Sequence, residues 1–210
     1  MGEEGNQLDM ILDHYSYSSY SLYNRCPREF YLVKSEIQPK RETAAMTFGK
    51  RYHESVENYH KGNEYDVKLI KEYTDKFPQD YFAPDSVEIP FRIKFTDTDK
   101  IVVIDTPFEG FLDGRNDLGI QDLKTFSKPM EQEELAENEQ ATLYVYANYL
   151  ITGKIVPFYF NVFLKKMKTI VTYKTERGVG DFERLFWRLH QFDMMVRGDY
   201  FPCTCGRCDA

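Results

Sequence analysis

Hydrophobic residues in the first third of the chain recur with the period of an α-helix. Four of them, spaced three and four residues apart, predict a helix from about Thr43 to Lys61: Phe48, Tyr52, Val56 and Tyr59. Gly62 then ends this helix, because glycine readily adopts the left-handed conformation that follows a last helical turn.

Two further helical segments are predicted on either side of it. The earlier one runs from Ser18 to about Lys34, with Ser18 or Ser19 as its N-cap. Within it, Pro27 either starts a fresh turn or kinks the helix. The later segment runs from Asp66 to Phe77.

The period changes to two after residue 86, which indicates strands. Five strands are predicted at Val87–Phe95, Ile101–Asp113, Gly119–Phe126, Ile155–Lys165 and Thr169–Thr175. Helices are predicted at Glu131–Thr152, between the third and fourth strands, and at Gly180–Arg197. This order predicts the α/β class rather than a helical bundle or a β-sandwich.

Composition is compatible with a single domain of ordinary size. The chain has 210 residues, of which 42% are hydrophobic and 29% charged, with a net charge of −7. That charge argues against a simple basic nucleic-acid surface, although a metal site needs clustered carboxylates. Basic residues are locally concentrated at Lys34, Lys40, Arg41, Lys50 and Arg51, and again at Lys165, Lys166 and Lys168. On composition alone, a solvated surface explains them best.

No apolar run reaches the roughly 18–20 residues that would cross a bilayer. The acidic N-terminus also lacks the pattern of a secretory signal. We therefore expect a cytoplasmic protein without a membrane partner, in the host-cell cytoplasm if it is viral.

Three charged residues can converge on one predicted hairpin. Asp122 and Lys124 share a face of their strand because side chains alternate along a strand. If the preceding strand pairs through the intervening turn, Asp113 stands close to both. Such convergence is costly unless a cation resolves the repulsion between the carboxylates, and Mg²⁺ prefers carboxylate oxygens. A surface salt bridge explains the hairpin equally well at this point.

The hairpin resembles the PD-(D/E)XK nuclease superfamily, in its RecB-like branch, which includes phage and repair exonucleases and CRISPR-associated adaptation nucleases. The likeness lies in Gly110-Phe-Leu-Asp113 followed by Asp122-Leu123-Lys124. The resemblance implies that Asp113, Asp122 and the Leu123 carbonyl bind Mg²⁺ or Mn²⁺ and that Lys124 is catalytic. It also implies a restriction-endonuclease-like mixed sheet flanked by helices, with an N-terminal helical segment.

Two more motifs of the branch follow in the same order. Gly49 and His53 lie four residues apart on the predicted helix, where Gly49 would allow close approach of another chain. The resemblance makes His53 a metal ligand; alone it would be a core or capping histidine. Gln140 and Tyr144 share a helical face after the lysine strand, and the resemblance places both among the catalytic residues.

The N-terminal segment SYSSYSLYNRCPREFYL also resembles the opening of the branch. In it Arg28 could contact a DNA phosphate, and a surface arginine is the alternative. Glu88 occupies a strand where relatives often have a glutamate, and we do not count it among the catalytic residues.

Four cysteines are divided between the two ends of the chain: Cys26, Cys203, Cys205 and Cys208. The same division in some RecB-like nucleases holds a four-iron cluster, so the resemblance favours [4Fe–4S], with Zn²⁺ as the alternative. The Cys-x-Cys-x-x-Cys spacing departs from the spacing that relatives more often show.

Together these features predict one RecB-like nuclease domain over 1–210. Its expected parts are a helical segment (15–80), a catalytic sheet and helix (86–175) and a C-terminal helix with the cysteines (178–210). The expected function is metal-dependent hydrolysis of DNA phosphodiesters, as an exonuclease in recombination, repair or phage DNA processing. The substrate would be single-stranded DNA or duplex ends, and a homo-oligomer or a nuclease-complex partner stays open. The alternatives are a silent DNA-binding subunit of the same fold, a CRISPR adaptation nuclease and a metal–thiolate redox or sensor protein.

Overall fold

A computed structural model describes residues 12–39, 42–97 and 102–206 of the chain. The helices are α1 (Tyr17–Arg25), α2 (Pro27–Lys34), α3 (Ala44–Lys61), α4 (Lys71–Thr74), α5 (Gln132–Glu137), α6 (Glu139–Thr152) and α7 (Val179–Arg197). The strands are β1 (Val87–Asp97), β2 (Val102–Asn116), β3 (Gly119–Phe126), β4 (Phe158–Leu164) and β5 (Thr169–Thr175). In this part of the chain, no helix has the length and apolarity needed to cross a membrane.

The five strands form one mixed sheet in the order β1-β2-β3-β4-β5. Strands β2 and β3 pair antiparallel, β3 and β4 parallel, and β4 and β5 antiparallel. A parallel pair needs a crossover connection, and helices α5 and α6 supply it between β3 and β4. The predicted α/β class and the mixed sheet flanked by helices are confirmed.

The chain divides into two compact units, each assembled from separate stretches. The terminal unit comprises Met1–Lys40, Lys94–Glu109 and Phe186–Ala210. The central unit comprises Arg41–Ile93 and Gly110–Leu185. The expectation of one nuclease domain with three consecutive parts stays a prediction.

The N-terminal helical segment is two helices rather than one. Ser16, not Ser18 or Ser19, caps α1, and its hydroxyl accepts a hydrogen bond from the Ser19 backbone N–H. Cys26 between the helices has an extended backbone, with φ −161° and ψ 106°. Pro27 is the first residue of α2, where its missing N–H costs nothing. Of the two predicted effects of Pro27, the fresh start is the one observed.

Helix α3 confirms the prediction made from its hydrophobic period. Thr43 caps its start and Gly62 ends it with φ 72°. The helix predicted from Asp66 to Phe77 is wrong, because only Lys71–Thr74 is α-helical. The buried hydrophobic residues of this segment, Ile70, Tyr73 and Phe77, lie in α4 and in the turns beside it. They pack in the same core as residues of α3 without forming a continuous helix.

The single helix predicted from Glu131 to Thr152 is also wrong. Asn138 interrupts it with ψ 106°, and its side chain then caps α6 by accepting a hydrogen bond from the Ala141 N–H at 3.0 Å. The interruption starts a new helix, α6, that carries Gln140 and Tyr144.

Within the central unit, helices cover both faces of the sheet. Leu123 packs into the core that α3 lines with Tyr52 and Val56. Its strand neighbour Asp122 points to the opposite face, where Gln140 of α6 contacts it. The terminal unit has its own aromatic core, in which the Phe192 ring lies 4.7–5.8 Å from four others: Tyr15, Tyr20, Tyr23 and Phe30.

Candidate active site

Asp122 and Lys124 form a largely buried ion pair on strand β3. The Lys124 Nζ atom lies 2.8 Å from Asp122 Oδ2. Asp122 is only 1% exposed. Burial raises the pKa of Asp122 to about 7, because desolvation and the nearby Asp113 charge together outweigh the stabilising charge of Lys124.

The two oxygens of Asp122 have different surroundings. Oδ1 accepts a hydrogen bond from Gln140 Nε2 at 3.3 Å. Oδ2 has the lysine cation beside it but no well-oriented hydrogen-bond donor among the described residues. A buried carboxylate oxygen without its full set of donors is unfavourable unless another positive group completes it.

Asp113 lies on β2 with its carboxylate directed at β3 and α3. Its Oδ2 atom accepts a hydrogen bond from the Leu123 backbone N–H at 2.7 Å and lies 3.4 Å from His53 Nδ1. Burial lowers the pKa of His53. The charge of Asp113 raises this pKa, whereas the charge of Lys124 lowers it further. The neutral imidazole that burial favours is the form that binds metals.

Four of the predicted active-site residues are therefore brought together in two pairs. His53 contacts Asp113, and Asp122 contacts Lys124, with all four residues in the central unit. A close group of metal ligands would have three or more His, Cys, Asp or Glu side chains whose ligand atoms all lie within 4.8 Å of one another. Across the described ranges, three cysteines form the only such group. His53, Asp113 and Asp122 are thus not gathered that closely.

Gln140 and Tyr144 occupy the face of α6 that meets Asp122. Tyr144 is buried, and its ring lies 5.5 Å from that of Phe91. Burial raises the pKa of Tyr144, the charge of Asp122 raises it further, and a hydrogen bond with Gln140 opposes both. Tyr144 therefore stays protonated at neutral pH and braces the amide that contacts Asp122.

Two further carboxylates border the site on the α3 side. Glu88 and Glu57 line a water-sized cavity of about 10 Å³ together with His53 and Asp113. Burial, followed by the charge of Asp113, raises the pKa of Glu88 to about 7. Glu88 also has a positive φ of 53°, which is strained for a residue with a side chain. Glu57 is not among the site residues predicted from the sequence. Its position one helical turn after His53, on the same face of α3, would have indicated that it lies there.

Gly49 does not have the role expected from its motif. A Cβ atom added there would meet Thr125 Oγ1 at 3.5 Å, which is an ordinary contact. The close approach is at Gly110 instead, where an added Cβ would lie 2.7 Å from the Phe91 ring. Of these two motif glycines, Gly110 is therefore the one that packing requires.

The cysteines form a separate group in the terminal unit. The sulfur atoms of Cys26, Cys203 and Cys205 all lie within 4.8 Å of one another. The Arg28 backbone N–H donates to the Pro202 carbonyl at 3.2 Å, which holds the C-terminal segment against α2. Cys208 lies outside the described residues. The Arg28 guanidinium stacks over the Tyr31 ring at 5.4 Å, and its contact with DNA stays a prediction.

Comparison with known proteins identifies the class. The family model of the PD-(D/E)XK nuclease superfamily matches residues 14–210. The chain belongs to this superfamily, whose nucleases act on DNA and generally use Mg²⁺ or Mn²⁺, and the resemblance seen in the sequence is confirmed.

A solved structure shares the fold. The crystal structure of a "Putative exonuclease" from Eubacterium rectale aligns with a TM-score of 0.61 over 100% of this chain and 91% of that one. The two sequences are 12% identical, so this likeness supports the fold alone. No curated protein matches the chain significantly in sequence.

Proposed function

We propose that the chain is a metal-dependent deoxyribonuclease that hydrolyses DNA phosphodiester bonds, acting as an exonuclease in recombination, repair or phage DNA processing. The observation that carries the proposal is the fully buried Asp122 beside Lys124, with the His53–Asp113 pair next to it. In a surface salt bridge both partners would be exposed to water. Here the Asp122 carboxylate is buried.

The chemical types of the donors suit a hard divalent cation, and the three side chains would have to move closer together to bind one ion at once. The side chains of His53, Asp113 and Asp122, with the Leu123 carbonyl, would hold the ion, and oxygen-rich sets with one imidazole suit Mg²⁺ or Mn²⁺. The incompletely paired Oδ2 of Asp122 is the oxygen that a cation would complete. When bound, such an ion polarises the scissile phosphate and lowers the pKa of a water molecule.

The protein groups around the ligands have distinct tasks in this proposal. Lys124 positions the attacking water and stabilises the negative charge that builds up on the phosphate oxygens. Gln140 holds the Asp122 carboxylate through Oδ1, and protonated Tyr144 supports Gln140. His53 remains neutral because burial disfavours its charged form.

The decisive variant is Lys124→Ala, assayed on end-labelled single- and double-stranded DNA with Mn²⁺ and with a chelator. We expect the wild type to cleave only with the metal and the variant to be slower by about 100-fold or more. Undiminished cleavage by the variant would overturn the role of Lys124. The exposed-lysine variant Lys154→Gln controls for the loss of a charge.

A separate experiment tests whether the chain cleaves DNA from its ends. The structural neighbour is named a "Putative exonuclease", which agrees with this part of the proposal. A circular DNA substrate offers no end, so an exonuclease leaves it intact while degrading the linear form. Metal-dependent opening of the circle would contradict exonuclease action and leave the nuclease proposal standing.

For the cysteines we propose a structural metal–thiolate centre that joins α1 and α2 to the C-terminal segment. The resemblance favours [4Fe–4S], in which each thiolate binds a different iron and the sulfurs stand apart. The three described sulfur atoms lie within 4.8 Å of one another, so one centre can bind all of them, and Zn²⁺ is the alternative to the cluster. Metal analysis with a visible spectrum of anaerobically purified protein decides between iron and zinc, and a metal-free protein would refute the centre.

A further inference from the structure

The turn between β4 and β5 consists almost entirely of lysines. Its four residues are Lys165, Lys166, Met167 and Lys168, and the last three are exposed. Among the described residues, no carboxylate lies within ion-pair distance of any of these lysines. By contrast, Lys50 and Lys61 of α3 pair with Glu42 and Glu57 at 2.6 and 2.5 Å. The turn is therefore a local positive surface in a chain of net charge −7.

This turn lies beside the end of the strand that carries Lys124. In the parallel pairing of β3 with β4, Lys124 is opposite Val162 and Phe126 is opposite Leu164. The Lys165 backbone N–H donates to the Phe126 carbonyl at 2.9 Å. Phe126 is two residues beyond Lys124, or about 7 Å along the strand. Successive phosphates of one DNA strand are about 3.4 Å apart along the helix axis, so the turn is within about two or three phosphates of Lys124.

The first lysine of the turn is held in place by α3. The Lys165 ammonium lies over the Phe48 ring, 5.6 Å from its centroid. That ring stacks on Phe163 of β4, with ring centroids 6.3 Å apart and an interplanar angle of 17°. Cation–π contact orients the ammonium without neutralising it, so the charge stays available to an anion.

We propose that the Lys165–Lys168 turn binds the phosphate backbone of the substrate DNA strand next to the scissile phosphate. This inference rests on the proposed nuclease function. The carboxylates of the active site repel DNA, and phosphate contacts supply most of the affinity that does not depend on sequence. The lysines of the turn, which have no carboxylate partner among the described residues, counter that repulsion where the DNA strand passes the active site. Recognition by the turn is therefore independent of base sequence and sensitive to salt.

The test compares two double variants with the same change in charge. Lys166→Gln with Lys168→Gln removes the two exposed charges of the turn and leaves the Lys165–Phe48 contact intact. Lys68→Gln with Lys154→Gln removes two exposed lysines elsewhere in the central unit, and Lys154 precedes β4 whereas the turn follows it. Fluorescence anisotropy measures binding of a labelled single-stranded oligonucleotide in chelator, from about 50 to 200 mM salt.

We expect the slope of log affinity against log salt to become shallower by about 1.4 in the turn variant, about 0.7 for each lost phosphate contact. The control should keep the wild-type slope. In Mn²⁺, the turn variant should show a KM raised several-fold at unchanged kcat.

Two results separate this inference from the function on which it rests. A turn variant with the wild-type slope would overturn the inference, whatever the cleavage activity. If the wild type cleaves no DNA with either metal but the turn variant still loses slope, the nuclease proposal fails and the DNA-binding surface stands.

Discussion

At the scale of single residues, His60 shows how burial decides the protonation of a side chain. It is 3% exposed, and its two ring nitrogens lie 2.9 Å from the Gln79 carbonyl and 2.9 Å from the Tyr73 hydroxyl. A carbonyl only accepts, so Nδ1 carries the proton and Nε2 accepts from Tyr73. Both contacts are satisfied by the neutral ring. Burial accordingly lowers the pKa of His60, and the hydrogen bond to Gln79 opposes the shift.

This lowered pKa predicts a pH-dependent loss of stability. The unfolded chain takes up a proton on His60 near its usual pKa of about 6.5, before the folded protein does. The free energy of unfolding should therefore fall as the pH falls below about 6.5, by at most about 1.4 kcal/mol per pH unit from this residue. Urea unfolding of the wild type and of His60→Gln measures it. Glutamine can keep one donor and one acceptor but does not titrate, so an identical pH slope in the variant would contradict the prediction.

Alanine substitutions at two glycines of the nuclease motifs should change the free energy of unfolding in opposite directions. Gly110→Ala would place a methyl group 2.7 Å from the buried Phe91 ring, so we expect a loss of about 1–3 kcal/mol in the free energy of unfolding. Gly49→Ala has room for its methyl group in the interior of α3 and should gain up to about 1 kcal/mol. Denaturant unfolding of both variants checks the pair, and equal effects would refute the packing argument.

At the scale of elements, buried Arg177 stabilises the break between α5 and α6. Its Nη2 donates to the Leu135 and Asn138 carbonyls at 2.8 and 3.2 Å, and its Nε donates to Thr142 Oγ1 at 2.9 Å. Leu135 lies in α5 and Thr142 in α6, while Asn138 separates the two helices. The guanidinium thus satisfies the Leu135 carbonyl, which a continuous helix would have paired internally, and adds a bond to the Asn138 carbonyl, which also accepts from the Thr142 N–H at 3.4 Å.

Arg177→Lys should destabilise the protein by about 2 kcal/mol or more, because one ammonium cannot reproduce the planar set of donors and leaves the buried Leu135 carbonyl unpaired. Arg184→Lys is the matched control, since Arg184 is largely exposed and its one ion pair among the described residues is with Asp181. Denaturant unfolding compares the two variants. Equal, small losses would show that Arg177 does not hold the break.

The sequence predicted those elements and site residues whose signals are local. Strand alternation placed Asp122 and Lys124 on one face, and helical spacing predicted α3 and its end at Gly62. The break at Asn138 was not predicted, because its local signal, an asparagine that caps α6, lies within a continuous helical pattern, and Arg177, which bonds to both helices, is distant in sequence. The raised pKa values of Asp122 and Glu88 likewise come from burial by other elements.

At the scale of the whole molecule, a metal bound by the cysteines would close a loop that spans nearly all of the described residues. Cys26 follows α1, whereas Cys203 and Cys205 follow α7 near the other end of the sequence. Closing a long loop costs an entropy that grows only logarithmically with its length, so the bonds to a metal can offset it. Because all three belong to the terminal unit, that unit should depend most on the metal.

Removing this metal should therefore loosen the terminal unit first. We expect Cys26→Ser, or treatment with a strong chelator, to accelerate amide hydrogen exchange in α1, α2 and residues 199–206, where the cysteine group and the Arg28–Pro202 hydrogen bond lie. Strands β3 and β4 lie in the central unit and should keep their protection. Cys26 is fully buried, so the serine itself perturbs packing, and chelation of the unaltered protein separates that effect from loss of the metal. Unchanged exchange after chelation of metal-loaded protein would mean that aromatic packing around Phe192, rather than a metal, joins the ends of the chain.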